Sequence, residues 1–147
     1  MLRSLVGSEM CIRDRLLIDC DRFKQINDRH GHQAGDRVLQ SMGNILRSMA
    51  GEQDLACRLG GDEFCLILRR GNHEIVQHAA EFIISAVHGL LERSHGTPHV
   101  SLVSIGACLL APEAGWSEWY ACADRALYQA KRDGGNCLRW ADDPDGQ

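Results

Sequence analysis

Residues 59–64 read Leu59-Gly60-Gly61-Asp62-Glu63-Phe64, two glycines followed at once by two carboxylates. On either side, Asp54-Leu55-Ala56-Cys57-Arg58-Leu59 and Phe64-Cys65-Leu66-Ile67-Leu68 have the apolar content of short strands. The segment between them is therefore a hairpin turn, with Gly60 and Gly61 supplying backbone freedom at its tip. Bare glycines let a large anion approach backbone N–H groups, and the adjacent acids are placed to hold a divalent metal. An ordinary Gly-Gly-Asp hairpin turn has the same appearance, so the rest of the chain has to decide.

Working outward, Leu16-Leu17-Ile18-Asp19 reads as a buried strand ending on a carboxylate. Arg22 to Asp28 forms a short helix with Phe23 and Ile26 on one face, and His30 to Asp36 is a polar loop. Asp36 is placed to cap the next helix, whose Val38, Leu39, Met42, Ile45, Leu46 and Met49 recur at three- and four-residue steps. After the hairpin, an amphipathic helix runs from about His73 to Glu92, a strand from Val100 to Leu110, and a third long helix from about Ser117 to Arg132. Gly134-Gly135 stops that helix, and Cys137 to Trp140 fits a last edge strand. Strand, helix, hairpin, helix, strand, helix, strand implies an α/β sandwich with a mixed sheet and packed helices. In such a fold Asp19 and Asp62 converge if their strands are neighbours.

At 147 residues the chain is one domain, and 44% hydrophobic with 24% charged residues is the balance of a globular protein. The net charge of −4 argues against nucleic-acid binding through broad phosphate neutralisation but leaves room for a nucleotide site. Seven cysteines without a Cys-x-x-Cys pair read as buried, reduced thiols of a cytoplasmic protein. No apolar run approaches a membrane span. Met1 to Arg15 reads as a non-native lead, the domain proper as 16–140, and Ala141 to Gln147 as a disordered acidic tail.

The run Asp19-Cys20-Asp21-Arg22-Phe23-Lys24-Gln25-Ile26-Asn27-Asp28, the pieces Gly31-His32 and Gly35-Asp36, and Arg58-Leu59-Gly60-Gly61-Asp62-Glu63-Phe64 resemble the GGDEF family of diguanylate cyclases. Ser104-Ile105-Gly106 and Ala123-Asp124-Arg125-Ala126-Leu127-Tyr128-Gln129-Ala130-Lys131 agree, so the resemblance covers about Leu16 to Trp140. It implies a palm-like nucleotidyl cyclase fold and condensation of two GTP into cyclic di-GMP with release of two pyrophosphates. Two subunits would each hold one GTP, so the partner is a second copy of the domain.

By that resemblance Asp19, the Cys20 carbonyl, Asp62 and Glu63 are metal ligands, with Asp62 also the family's candidate base. Hard oxygen donors suit Mg²⁺ or Mn²⁺. Asn27 and Asp36 correspond to the guanine-reading pair. Gly60 and Gly61 let the turn approach phosphates, Lys24 and Lys131 match phosphate-contacting positions, and His32 lies in the substrate loop. Each has a plainer alternative: Asp36 as a helix cap, Asn27 as a turn residue, Lys131 as a helix-end cation.

Three departures stand out against the resemblance. Gly51-Glu52-Gln53-Asp54 lacks the Arg of the Arg-x-x-Asp product site that many members carry. Gly135 replaces a frequent Arg. No Leu-Thr-x-Leu-x-Asn-Arg helix precedes the first strand, so an upstream sensory or dimerising module is expected to be missing from this chain. The rival expectations are a silent GTP-binding regulatory domain and a cyclase for another nucleotide, the latter disfavoured by Asp36.

Overall fold

The structure, a computed structural model, describes residues 14–69, 71–93, 101–109 and 114–141. The elements are β1 (Asp14–Cys20), α1 (Phe23–His30), α2 (His32–Met49), β2 (Leu55–Gly60), β3 (Glu63–Leu68), α3 (His73–Arg93), β4 (Val103–Ala107), α4 (Trp116–Arg132) and β5 (Leu138–Trp140). Their sheet runs β2-β3-β1-β4-β5. The first three pairings are antiparallel and β4–β5 is parallel. This is the expected α+β architecture with a mixed sheet.

β1 is central because its side chains are apolar on both faces: Leu16, Leu17 and Ile18 are all fully buried. Leu16, Ile18 and Cys20 face one cluster, completed by Val38, Met42 and Leu46 of α2 and Val76, Ile83 and Val87 of α3. Leu17 faces the other, with Cys65 of β3 and Trp119, Ala123 and Leu127 of α4. α4 lies directly on β4, since a Cβ added at Gly106 would run into the Ala123 carbonyl and Leu127. Gly106 is what permits that approach.

Several boundaries differ from expectation. β1 starts at Asp14, two residues before Leu16, and Asp14 stands opposite Leu68. The polar loop over residues 30–36 is not there: α1 ends at His30, Gly31 turns the chain at φ 88°, and α2 begins at His32. The polar His32, Gln33 and Asp36 are the exposed face of its first turns, while Ala34 and Gly35 are buried. Asp36 is therefore inside the helix, and Gly31 precedes it without a side-chain cap. β4 is shorter than expected, and residues 100 and 110 lie outside the described residues, as do 1–13 and 142–147 of the lead and tail.

The cysteines also need correction. Cys108 and Cys122 form a disulfide. Their separation of 14 residues hides the pair in the sequence, but Cys108 follows β4 and Cys122 sits on the face of α4 packed over it. Cys20, Cys57, Cys65 and Cys137 are free thiols.

Candidate active site

Sheet register builds the site. Asp19, near the end of β1, stands directly opposite Glu63, the first residue of β3. The turn is tied to the strand end by the Cys20 N–H, which donates to the Asp62 carbonyl at 3.2 Å. Gly60 (φ 153°) and Gly61 (φ 50°) take up the positive φ that closes the hairpin, with a register shift between Arg58 and Gly60. Arg58 Nε braces the turn by donating to the Gly61 carbonyl at 2.8 Å. The expected convergence of Asp19 with the Gly-Gly-Asp-Glu turn is thus a consequence of β1 pairing with β3.

Asp19 is 7% exposed. Burial, then the neighbouring Asp62 carboxyl, pushes its pKa up to about 7, and the Lys131 ammonium only partly reverses this. Lys131 Nζ, from the last turn of α4, donates to Asp19 Oδ2 at 2.5 Å. Asp19 Oδ1 is buried without a hydrogen-bond partner. Cys20 points its thiol into the opposite cluster, where burial pushes the pKa to about 12. Only its main chain faces the turn.

These residues suit a divalent cation. An acidic group with one orphaned oxygen and an ammonium on the other is a cation site in its donor chemistry, and every donor is a hard oxygen. Among the described residues, however, no three His, Cys, Asp or Glu side chains are already gathered closely enough to hold an ion. Glu63 is engaged elsewhere: its Oε1 accepts from the Tyr120 hydroxyl at 2.5 Å, and that bond pushes the tyrosine up to about 12.

The Asn27 side chain lies over Gly35, where a Cβ would overlap it, and Asn27 Oδ1 is buried without a partner. Asp36, one residue further on, is exposed on α2. Lys24 and His32 are exposed at the first turns of α1 and α2. Arg22, the residue before α1, holds a left-handed φ of 57°, backbone strain at the corner where β1 turns into that helix.

Sequence reasoning missed four residues. Asp21 accepts from Ser104 Oγ at 2.6 Å and from the Asn136 N–H at 2.9 Å, pinning the segment after α4 to the end of β1. Gly135 lies against Asp21, where a Cβ would sit 2.7 Å from Oδ2. Tyr120 is the fourth, after Asp21, Ser104 and Asn136. The repeated acid in Asp19-Cys20-Asp21 was a signal for Asp21, and Ser104 stands in the Ser104-Ile105-Gly106 run that carries the resemblance; Asn136 and Tyr120 carry none at short range.

Residues 14–137 match the family described as "Diguanylate cyclase, GGDEF domain". The chain is 37% identical over 126 residues to the diguanylate cyclase DgcS of Shewanella oneidensis, covering 84% of this chain and 40% of that protein. It is 41% identical over 121 residues to DgcM of Escherichia coli, covering 82% and 29%. The chain thus spans less than half the length of these curated relatives. The GGDEF domain of DgcB from Caulobacter crescentus, solved in complex with c-di-GMP, superposes with a TM-score of 0.79 at 32% identity, over 88% of this chain and 77% of that one. With matching motifs, matching fold and relatives of this similarity, the chain belongs to the diguanylate cyclase GGDEF domain family.

Proposed function

We propose that this domain condenses two GTP molecules into cyclic di-GMP and two pyrophosphates, two copies facing each other with one GTP apiece. The observation that carries it is the pairing of β1 with β3, which sets the buried Asp19 against the turn bearing Asp62 and Glu63, with Lys131 at the same carboxylate. Asp19, the Cys20 carbonyl, Asp62 and Glu63 would hold Mg²⁺ or Mn²⁺. When bound, the cation neutralises triphosphate charge and helps orient the attacking 3′-hydroxyl.

The chain's own groups do the rest. Gly60 and Gly61 leave room for phosphate oxygens at the turn. Lys131, with its ammonium at Asp19 and its side chain partly exposed, is positioned to bind a phosphate, and Lys24 offers a second cation. Asp62 takes the 3′-hydroxyl proton in the family's scheme. Asn27 and Asp36 read guanine: a carboxylate accepts from N1–H and the 2-amino group, and the amide bonds the base edge. The orphaned Asn27 Oδ1 supports this, as a buried acceptor awaiting a donor. His32, exposed at the start of α2, lies one helical turn before Asp36. The setting proposed is the cytoplasm, where GTP is found; no described helix is long and apolar enough to cross a membrane.

A second reading, GTP binding without turnover, draws on the absence of a gathered three-ligand cluster among the described residues. Product analysis with GTP and Mg²⁺ decides between them. Cyclic di-GMP formation that rises more than linearly with protein concentration, is lost in Asp62→Ala and shows relaxed base choice in Asp36→Ala, supports the cyclase. GTP binding with no product at any concentration, even with a fused dimeriser, supports the silent domain.

A further inference from the structure

Asp19 and Glu63 are direct cross-strand neighbours, so their Cα atoms are about 5 Å apart and their side chains leave the same face of the sheet. Yet their carboxylates go to different places. Asp19 is bound by Lys131, and Glu63 by Tyr120. Both partners belong to α4, but they are three turns apart, about 16 Å along the helix axis. The two acids are therefore splayed toward opposite ends of α4.

We propose that Tyr120 is a positioning residue that holds Glu63 withdrawn from Asp19 and so sets the affinity of the site for its divalent cation. This rests on the metal-dependent reading above. Tyr120 is half-buried, packed at the edge of the α4 cluster with Trp116 6.2 Å away between ring centroids. Its ring is held by packing, and its hydroxyl is free to serve Glu63. A hydroxyl on a carboxylate oxygen competes with any cation for that oxygen, and the competition is felt only when Glu63 is drawn in as a ligand. Where a supporting donor would leave Glu63 beside Asp19, this one keeps it away, which accounts for the lack of a three-ligand cluster in the described residues.

The test measures Mn²⁺ binding by electron paramagnetic resonance, with a non-hydrolysable GTP analogue present, in wild type and Tyr120→Phe. The substitution removes one hydroxyl and keeps the ring. Freed Glu63 should bind Mn²⁺ about threefold or more tightly, a partly exposed, charge-assisted bond having been lost. Tyr120→Leu should shift affinity the same way, and in a Glu63→Gln background Tyr120→Phe should change nothing. Unchanged or weaker Mn²⁺ affinity in both Tyr120 variants, or an equal gain in the Glu63→Gln background, overturns the proposal. If wild type binds no Mn²⁺ with the analogue, the metal-dependent function itself fails and this inference falls with it.

Discussion

Lys131 Nζ lies 2.5 Å from Asp19 Oδ2, joining the last turn of α4 to the end of the central strand. Lys131 is partly exposed and Asp19 nearly buried, so the pair is neither a weak surface bridge nor a dry one. Lys131→Met should destabilise the metal-free protein by about 1 kcal/mol at pH 8, a buried-pair loss discounted for exposure. At pH 5, where Asp19 is protonated, the cost should nearly vanish. Urea unfolding at the two pH values checks this; an equal cost of about 1 kcal/mol at both would mean that Asp19 is still ionised at pH 5.

Asp19 itself has a pH signature. Burial raises its folded pKa to about 7, well above the ordinary carboxylate value near 3.9. Folding therefore favours the protonated form, and the stability this contributes is full below about pH 4 and is lost as pH rises toward 7. Metal-free protein should unfold at lower urea concentration at pH 8 than at pH 5. Asp19→Asn should flatten that slope, gaining up to a few kcal/mol at pH 8 and little at pH 4. A slope that survives in Asp19→Asn would assign it to another group.

The base-reading assignment can be tested without touching either proposed reader. A Cβ at Gly35 would overlap Asn27 Oδ1 and press on its amide nitrogen. Gly35 lies inside α2, where alanine is the better helix former by about 1 kcal/mol. Gly35→Ala should therefore leave the unfolding midpoint nearly unchanged or slightly raised. If Asn27 reads guanine, the same change should raise the KM for GTP by roughly tenfold, the loss of one good hydrogen bond to a charged or polarised base edge. Weakened stability with unchanged KM would place Asn27 in the packing instead.

How much of this was legible in the sequence depends on the range of the interactions. The hairpin over residues 55–68 and its glycine tip are local and were read correctly, because strand runs and turn glycines are adjacent in the chain. The convergence of Asp19 with the turn followed once those strands were taken as neighbours. The false loop over residues 30–36 came from reading polar content as irregular backbone, when Ala34 and Gly35 are buried, Gly35 against Asn27 of α1, and the polar residues are the wet face of α2. Tyr120 on Glu63 and the Cys108–Cys122 disulfide depend on where α4 lands on the sheet, which no spacing within α4 specifies.

Asp54 bears on control by product. It is the one acid left of the Arg-x-x-Asp pattern, with Gly51 in place of the arginine. Its carboxylate is already used: Oδ2 accepts from the Gly51 N–H at 2.8 Å, and Oδ1 from the Arg69 N–H at 3.0 Å. The first bond closes the turn that leads into β2 and the second ties that turn to the residue after β3, so Asp54 is a structural residue here. A groove of about 390 Å³ beside it is lined by Arg47 and Arg58, but Arg58 Nε is committed to the Gly61 carbonyl. Cyclic di-GMP should not bind there at submicromolar concentration. Asp54→Ala should cost about 1–2 kcal/mol in stability through its lost backbone partners, while leaving any inhibition by added product unchanged. Submicromolar product binding in a calorimetric titration, abolished in Asp54→Ala, would show instead that the carboxylate exchanges its backbone partners for the nucleotide.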